Sequence, residues 1–283
     1  MDKMTELVER LNGYRDAYYN RNESLISDKE YDALFDELAA LEKQTGIVYA
    51  NSPTATVGYA AVSKLQKVAH NHPLLSLGKT TDMGEFCDYF EGKPLNLMAK
   101  MDGLTASMVY RDGRLVSAES RGNGEVGEDI THTARTFAAL PQRIPFRGEL
   151  IVDGECIIDY PTFRRIIQRE QTEYKNPRNL VSGTVRQLDS RITAERNVNF
   201  YAFTLSEAPD VDFENSREAQ MKWMAEQGFD VVEYRKVDHE NLLAAIDEFE
   251  TRIPTFEIPS DGLVLTLEDL AYSASLGTTA KFP

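Results

Sequence analysis

The chain has 283 residues, 42% of them hydrophobic, enough for one large domain or a medium domain with a small companion. A formal net charge of -15 argues against a free-standing nucleic-acid binder, because phosphate contacts rest on lysine and arginine. Only Cys87 and Cys156 occur, far apart, which speaks against a disulfide framework and against structural zinc. No run approaches the roughly eighteen apolar residues needed to cross a bilayer, and the charged start is no signal peptide, so a cytoplasmic location is expected.

Taken in chain order, residues 3–20 place Leu7, Val8, Leu11, Tyr14 and Tyr18 on one helical face. A second helix opens at Ser27, with Glu30 three residues on as a capping box. Its stripe is Tyr31, Leu34, Phe35, Leu38 and Leu41, and Gly46 is its stop. A polar stretch containing proline then separates this hairpin from the rest. "NLMAK", "LTASMVY" and "RLVSAES" read as strands, the last two joined by an Asp112-Gly113 turn. A helix is predicted over Gly127–Phe137, a strand pair or bend over "LIVDGECIID", and a helix over "YPTFRRIIQRE". "NPRNLVSGTVRQL" reads as a loop entering a helix and "VNFYAFTL" as a strand. "NSREAQMKWMAEQG" is a helix capped by Asn215 and Glu218. "ENLLAAIDEFETRI" is helical and "DGLVLTL" a strand. Helices and strands mix without a βαβ rhythm, so the fold class is α+β with a largely antiparallel sheet.

The stretch "LMAKMDGLTASMVYRDGR" sets Lys100 inside an apolar strand, followed by Asp102 and Gly103. A lysine amine is nucleophilic only when deprotonated, and burial or a neighbouring cation promotes that form. Asp102 is placed to orient the amine or to pair with it, and Gly103 clears space for a ligand. The plainer alternative is a strand-end lysine reaching solvent beside a turn. "SRGNGEVGED" brings Arg121 and Glu128 together with three glycines, whose amides suit phosphate or ribose contacts; a flexible hairpin loop fits it as well. "DGE" (Asp153–Glu155) and "SDGLVL" set carboxylates beside glycines, as ribose or Mg²⁺ contacts or as ordinary turns. Arg178 and Arg186 stand eight residues apart, near two helical turns, so both are expected to face one site.

The order "KMDGLTASMVYRDGRLVSAESRGNGEVGEDI … DGE … NPRNLVSGTVRQLDSRIT … FYAF … SDGLVLTL … LGTT" resembles the adenylation region of NAD⁺-dependent, bacterial-type DNA ligases. "ISDKEYDALFDELAALE" resembles the small helical module of that family. The resemblance covers essentially the whole chain. It implies a ligase nucleotidyltransferase (ATP-grasp-like) domain over residues 61–283, after a helical module over 1–60 that binds the nicotinamide mononucleotide half of NAD⁺. It implies that Lys100 attacks the adenylyl phosphorus of NAD⁺, with Asp102 beside it. Glu155 would bind ribose hydroxyls, Phe203 would stack on adenine, and Ser76 and Leu77 would lie along the base. Arg121, Arg178 and Arg186 would contact phosphate, ribose or nucleotide, and Glu128 and Asp261 match acidic positions of the site. In the helical module Tyr18, Asp28, Tyr31 and Asp32 match the grip on the nicotinamide half; Tyr19, standing where a histidine is usual, is grouped with them. Mg²⁺ is implied as the companion cation, and nicked duplex DNA as a partner held by parts outside this chain.

Departures from the family pattern are Met98 for an acid two residues before the lysine, Thr266 for a lysine, and Asp153 for an arginine. Lys281 falls too early to match the family's last lysine, so the chain is expected to be the N-terminal part of a longer ligase that ends before that motif. Two other readings are an ATP- or GTP-using lysine nucleotidyltransferase, against which the helical module argues, and a nucleotide-binding module without turnover. Nothing in the sequence demands more than a monomer.

Overall fold

Alternation along the strand Leu95–Met101 sends its side chains into two of the three buried clusters found among the described residues. The computed structural model describes residues 3–21, 25–55, 62, 64–74 and 92–277. In that strand Leu95, Leu97 and Ala99 point into one buried cluster, while Met98 belongs to another. Successive side chains of a strand take opposite faces, so both faces here are covered and the run is apolar but for Asn96 and Lys100. The first cluster is closed by Leu242, Ala245 and Phe249 of the helix Leu242–Arg252.

With strands numbered along the chain, β1 is Val48–Tyr49, β2 Lys67–Ala69, β3 Leu95–Met101 and β4 Leu104–Arg111. Next come β5 (Arg114–Ser120), β6 (Val126–Glu128), β7 (Pro141–Arg143) and β8 (Leu150–Ile157). The last four are β9 (Asn199–Glu207), β10 (Asp230–Val231), β11 (Tyr234–Val237) and β12 (Ser260–Leu267). Among the described residues, a seven-stranded sheet runs β1-β7-β5-β4-β8-β9-β10, a three-stranded sheet β11-β3-β12, and a two-stranded ribbon β2-β6. Every pairing is antiparallel except β9 with β10. The α+β expectation therefore holds. Asp112 and Gly113 join β4 to β5 with φ of 50° and 71°, as a tight hairpin turn between right-twisted strands requires.

The helices are α1 (Lys3–Arg21), α2 (Asp28–Thr45), α3 (Thr131–Ala134), α4 (Tyr160–Glu170), α5 (Pro177–Val185), α6 (Ser190–Glu195), α7 (Arg217–Glu226), α8 (Leu242–Arg252) and α9 (Leu270–Ser275). The first two form the expected hairpin, with Leu7, Val8, Leu11 and Leu38 buried in a cluster of their own. Ser27 and Glu30 form the capping box at the start of α2, and Gly46 ends it in the left-handed region. Three local readings are corrected. The span 127–137 is β6 followed by the single turn α3, because the amide of Glu128 donates to Ser120 Oγ and that of Asp129 to the Gln66 carbonyl instead of starting a helix. "LIVDGECI" within "LIVDGECIID" is one continuous buried strand, β8. Ser216, not Asn215, caps α7, and Asn215 instead receives the Ala271 amide and donates to Asp269.

Glu268, just past β12, binds the small sheet to α7. Its carboxylate accepts from Asn96, from Ser216 Oγ at 2.6 Å and from the Glu218 amide at 3.1 Å, and it is 6% exposed. Removing it would strand a buried amide side chain and a helix N-terminal N–H. Glu268→Ala is expected to cost about 3 kcal/mol. Urea unfolding should show a lower midpoint with an unchanged slope.

Candidate active site

Lys100 occupies the inner face of β3, two residues beyond Met98, at the end where the small sheet meets the large one. That position answers why an ammonium interrupts an apolar strand: alternation brings it to the seam between the sheets rather than into either core. Its side chain is 32% exposed, and Nζ lies 2.5 Å from Asp261 Oδ1. Asp261 owes its place to a bulge. β12 pairs Ser260 with Met101 and Gly262 with Lys100, so Asp261 is the extra residue, swung beside the lysine. Ser260 Oγ donates to the Lys100 carbonyl at 2.8 Å and fixes the bulge.

Asp102 does not hold the lysine, as one sequence reading allowed. It pairs with Arg178 near the start of α5, Nη1 to Oδ1 at 2.6 Å, and this hydrogen bond raises the arginine's pKa. Asn176 caps α5 by accepting the Asn179 amide, which sets the helix start, and so Arg178, above the strand. Gly103 also differs from expectation. A Cβ there would meet the Cys156 carbonyl at 2.1 Å, so the glycine admits the chain's own backbone, not a ligand.

Glu155 sits on β8 opposite Thr105 of β4 and Tyr201 of β9, and is 7% exposed. Oε1 accepts the Gly103 amide at 3.1 Å and Oε2 the Thr105 hydroxyl at 2.8 Å. Burial pushes its pKa up to about 7, against those two hydrogen bonds and the charges of Arg178 and Lys100. Thr105 and Tyr201 were not singled out from the sequence. The signal for Thr105 was its place two residues past Gly103 on the same strand face; Tyr201 becomes legible only through register.

The structure thus brings Lys100, Asp102, Glu155, Arg178 and Asp261 together. Arg186 forms a separate pair with Glu128, Nε to Oε2 at 2.8 Å, so the two arginines meet different carboxylates; Arg186 lies one residue past the end of α5. Arg121 Nε donates to the Leu74 carbonyl at 2.9 Å. In its loop the amides of Asn123, Gly124, Glu125 and Val126 are bonded internally, so the expected phosphate cradle of backbone N–H groups is already spent on the turn. Phe203 is one of two residues of β9 left out of the register with β8, and is half-buried against the main core. Met98 is buried in that core and Thr266 is half-buried opposite Asn96. In the helical hairpin Asp32 is exposed, whereas Tyr31 stacks on Phe35 with ring centroids 6.4 Å apart. The side chains of Tyr18, Tyr19 and Asp28, and all of Ser76, Leu77 and Lys281, lie outside the described residues.

The site is thus a lysine at the seam of two largely antiparallel sheets, ringed by carboxylates and an arginine. Residues 62–283 match the family described as NAD-dependent DNA ligase adenylation domain, and residues 1–58 match the DNA ligase-like N-terminal NAD+-binding domain. The chain belongs to the NAD-dependent DNA ligase adenylation family. Over 99% of its length it is 47% identical to the DNA ligase of Ruminiclostridium cellulolyticum, covering 43% of that protein, and equally to that of Lachnoclostridium phytofermentans, covering 44%. It therefore spans less than half the length of these relatives. An archaeal ATP-dependent RNA ligase structure superposes with a TM-score of 0.44 at 14% identity, covering 83% of this chain and 62% of that one. Among the described residues no helix is long and apolar enough to cross a membrane.

The raised pKa of Glu155 has a consequence for stability. Between its unfolded value near 4.5 and about 7 the folded state holds the proton more tightly, so this group's contribution is full below pH 4.5 and is lost as pH rises through 7. The loss is up to about 3 kcal/mol. Glu155→Gln should flatten the fall in stability over that window, which urea unfolding at a series of pH values would reveal.

Proposed function

We propose that this chain performs the first step of an NAD⁺-dependent DNA ligase, transfer of AMP from NAD⁺ to Lys100. The observation that carries the reading is Lys100 at the seam, paired with Asp261, with the charges of Lys100 and Arg178 both reaching Glu155. The Lys100 Nζ lone pair attacks the adenylyl phosphorus and forms a P–N bond. The P–O bond to nicotinamide mononucleotide breaks, and that mononucleotide leaves with the bonding electrons. Asp261 is the nearest acceptor for the proton that Nζ must shed. Arg178 faces the developing phosphate charge, with Asp102 fixing its guanidinium. Glu155 receives the ribose hydroxyls, Phe203 stacks on adenine with Ser76 and Leu77 along the base, and Arg121, Arg186 and Glu128 complete the nucleotide contacts.

Residues 1–60 act in this reading as the module for the nicotinamide half, through Tyr18, Tyr19, Asp28, Tyr31 and Asp32. Residues 61–283 form the adenylation domain. In the longer protein the AMP would pass to a 5′-phosphate at a nick in duplex DNA and be displaced by a 3′-hydroxyl. Mg²⁺ belongs to the family's chemistry, but the residues present do not fit a protein-held ion. Among the described residues no three His, Cys, Asp or Glu side chains converge, and Asp102, Glu128 and Asp261 each face a cation.

Two variants test the reading. After incubation with NAD⁺ and Mg²⁺, intact-mass spectrometry should show an AMP-sized gain that Lys100→Ala abolishes while the fold, by circular dichroism, stays intact; AMP on the mutant chain would refute the nucleophile. Asp32→Ala should weaken loading from NAD⁺ but not from an activated AMP donor lacking the nicotinamide half, and equal loss with both donors would remove the role given to the helical module.

A further inference from the structure

A second group of titratable side chains lies on the same face of the large sheet, away from Lys100. Asp153 stands two residues before Glu155 on β8, so both project to one side. It is 4% exposed, and its Oδ2 meets His72 Nε2 at 2.7 Å and accepts from Ser206 Oγ of β9. Across the sheet, Glu119 of β5 meets His70 Nδ1 at 2.9 Å. Both histidines belong to residues 67–74, a strap crossing this face. The strap is bonded along its length to the loop that carries Arg121. β2 pairs with β6, the His70 amide donates to the Glu125 carbonyl, and the Leu74 amide donates to the Gly124 carbonyl. The Leu74 carbonyl, two residues past His72, accepts from Arg121 Nε.

We infer that Asp153 and His72 form a titratable clasp that docks this strap on the sheet and so positions Arg121 for the dinucleotide. Asp153 is a positioning residue, acting through His72 and Leu74. The functional part of the inference rests on the NAD⁺ reading above; the mechanical part does not. The charged groups facing His72 are Asp153 from β8, Glu119 from β5 and Glu207 from β9, all acidic, with His70 beside it on the strap. The hydrogen bond to Asp153 raises the His72 pKa, against partial burial and with help from those carboxylates. A raised histidine makes its contribution below its ordinary value and loses it as pH climbs through the folded one. Above that point Asp153 is a buried carboxylate facing a neutral ring with Glu119 and Glu207 nearby, and the clasp loosens. An arginine at position 153 would leave His72 without its acidic partner. The aspartate and the histidine therefore belong to one device.

The test uses the whole chain with Asp153→Asn and His72→Gln, the second keeping a hydrogen-bond donor that cannot titrate. Backbone amide exchange by NMR reads the clasp without reference to catalysis. The Leu74 amide should exchange about tenfold faster in Asp153→Asn, and in wild type should quicken as pH rises past the His72 titration beyond the intrinsic dependence, which His72→Gln should lack. The KM for NAD⁺ in AMP loading should rise about three- to tenfold over the same pH range in wild type and stay flat in His72→Gln, with kcat little changed in both. A merely structural contact would lower the melting temperature but leave the KM profile alike in all three proteins. Leu74 exchange unaltered by either variant would overturn the clasp. Altered exchange with identical KM profiles would overturn its hold on Arg121. A wild-type chain that takes no AMP at any pH would instead defeat the proposed reaction, and the exchange data would still decide the clasp.

Discussion

The pairing of β3 with β12 is the constraint on which the site depends. β3 has two buried faces, and only its inner face reaches the large sheet, so a residue at its end on that face stands at the seam. Lys100 is that residue. The partner strand must then supply an anion at the same height, and regular pairing would not do it, since Gly262 stands opposite. A single extra residue in β12 turns Asp261 toward the ammonium, and Ser260 ties the distortion back to the Lys100 carbonyl. A bulge is the means by which a sheet re-aims one side chain without giving up its register elsewhere.

Around that pair the site is built from contacts that hold each other in place. Gly103 brings β4 against the Cys156 backbone, and the same residue's amide donates to Glu155. Thr105 adds a second donor to that carboxylate from the same strand, one pleat further on. A carboxylate so buried is costly unless its oxygens are satisfied, and two hydrogen bonds offset part of that cost while fixing its direction. Arg178 comes from a helix whose start is fixed by the Asn176 cap and whose place over the strand is fixed by Leu180, Val181 and Val185 buried in the main core.

Much of this was legible in the residues. The capping box at Ser27 and Glu30, the Asp112-Gly113 turn and the strands on either side of it follow from local rules, and they appear where those rules put them. The central role of the stretch around Lys100 was legible because an ammonium within an apolar run needs a reason. What escaped was whatever depends on register or on distant partners. That Asp261 faces Lys100 follows from a bulge no local pattern announces, and that Asp102 faces Arg178 depends on a helix far along the chain. The glycines of "SRGNGEVGED" read as a phosphate cradle, yet Asn123 takes the loop's amides for a turn. Gly127–Phe137 reads as helical, but Ser120 and Gln66 claim the first amides for the ribbon. Asp153 read as a departure from a pattern, and its meaning came only with His72, eighty-one residues away.

On the proposed reading, the ion pairs at the seam would also govern how an anionic dinucleotide arrives. Lys100 and Arg178 are balanced by Asp102 and Asp261, and Glu155 adds a further negative charge as it ionises near neutrality. A chain carrying -15 therefore offers no large positive field to draw in a pyrophosphate from a distance. Encounter is left to short-range fit, and long-range repulsion from the surrounding carboxylates works against it. Added salt screens that repulsion, so on the proposed reading dinucleotide capture would gain from ionic strength over the range in which steered binders lose by it.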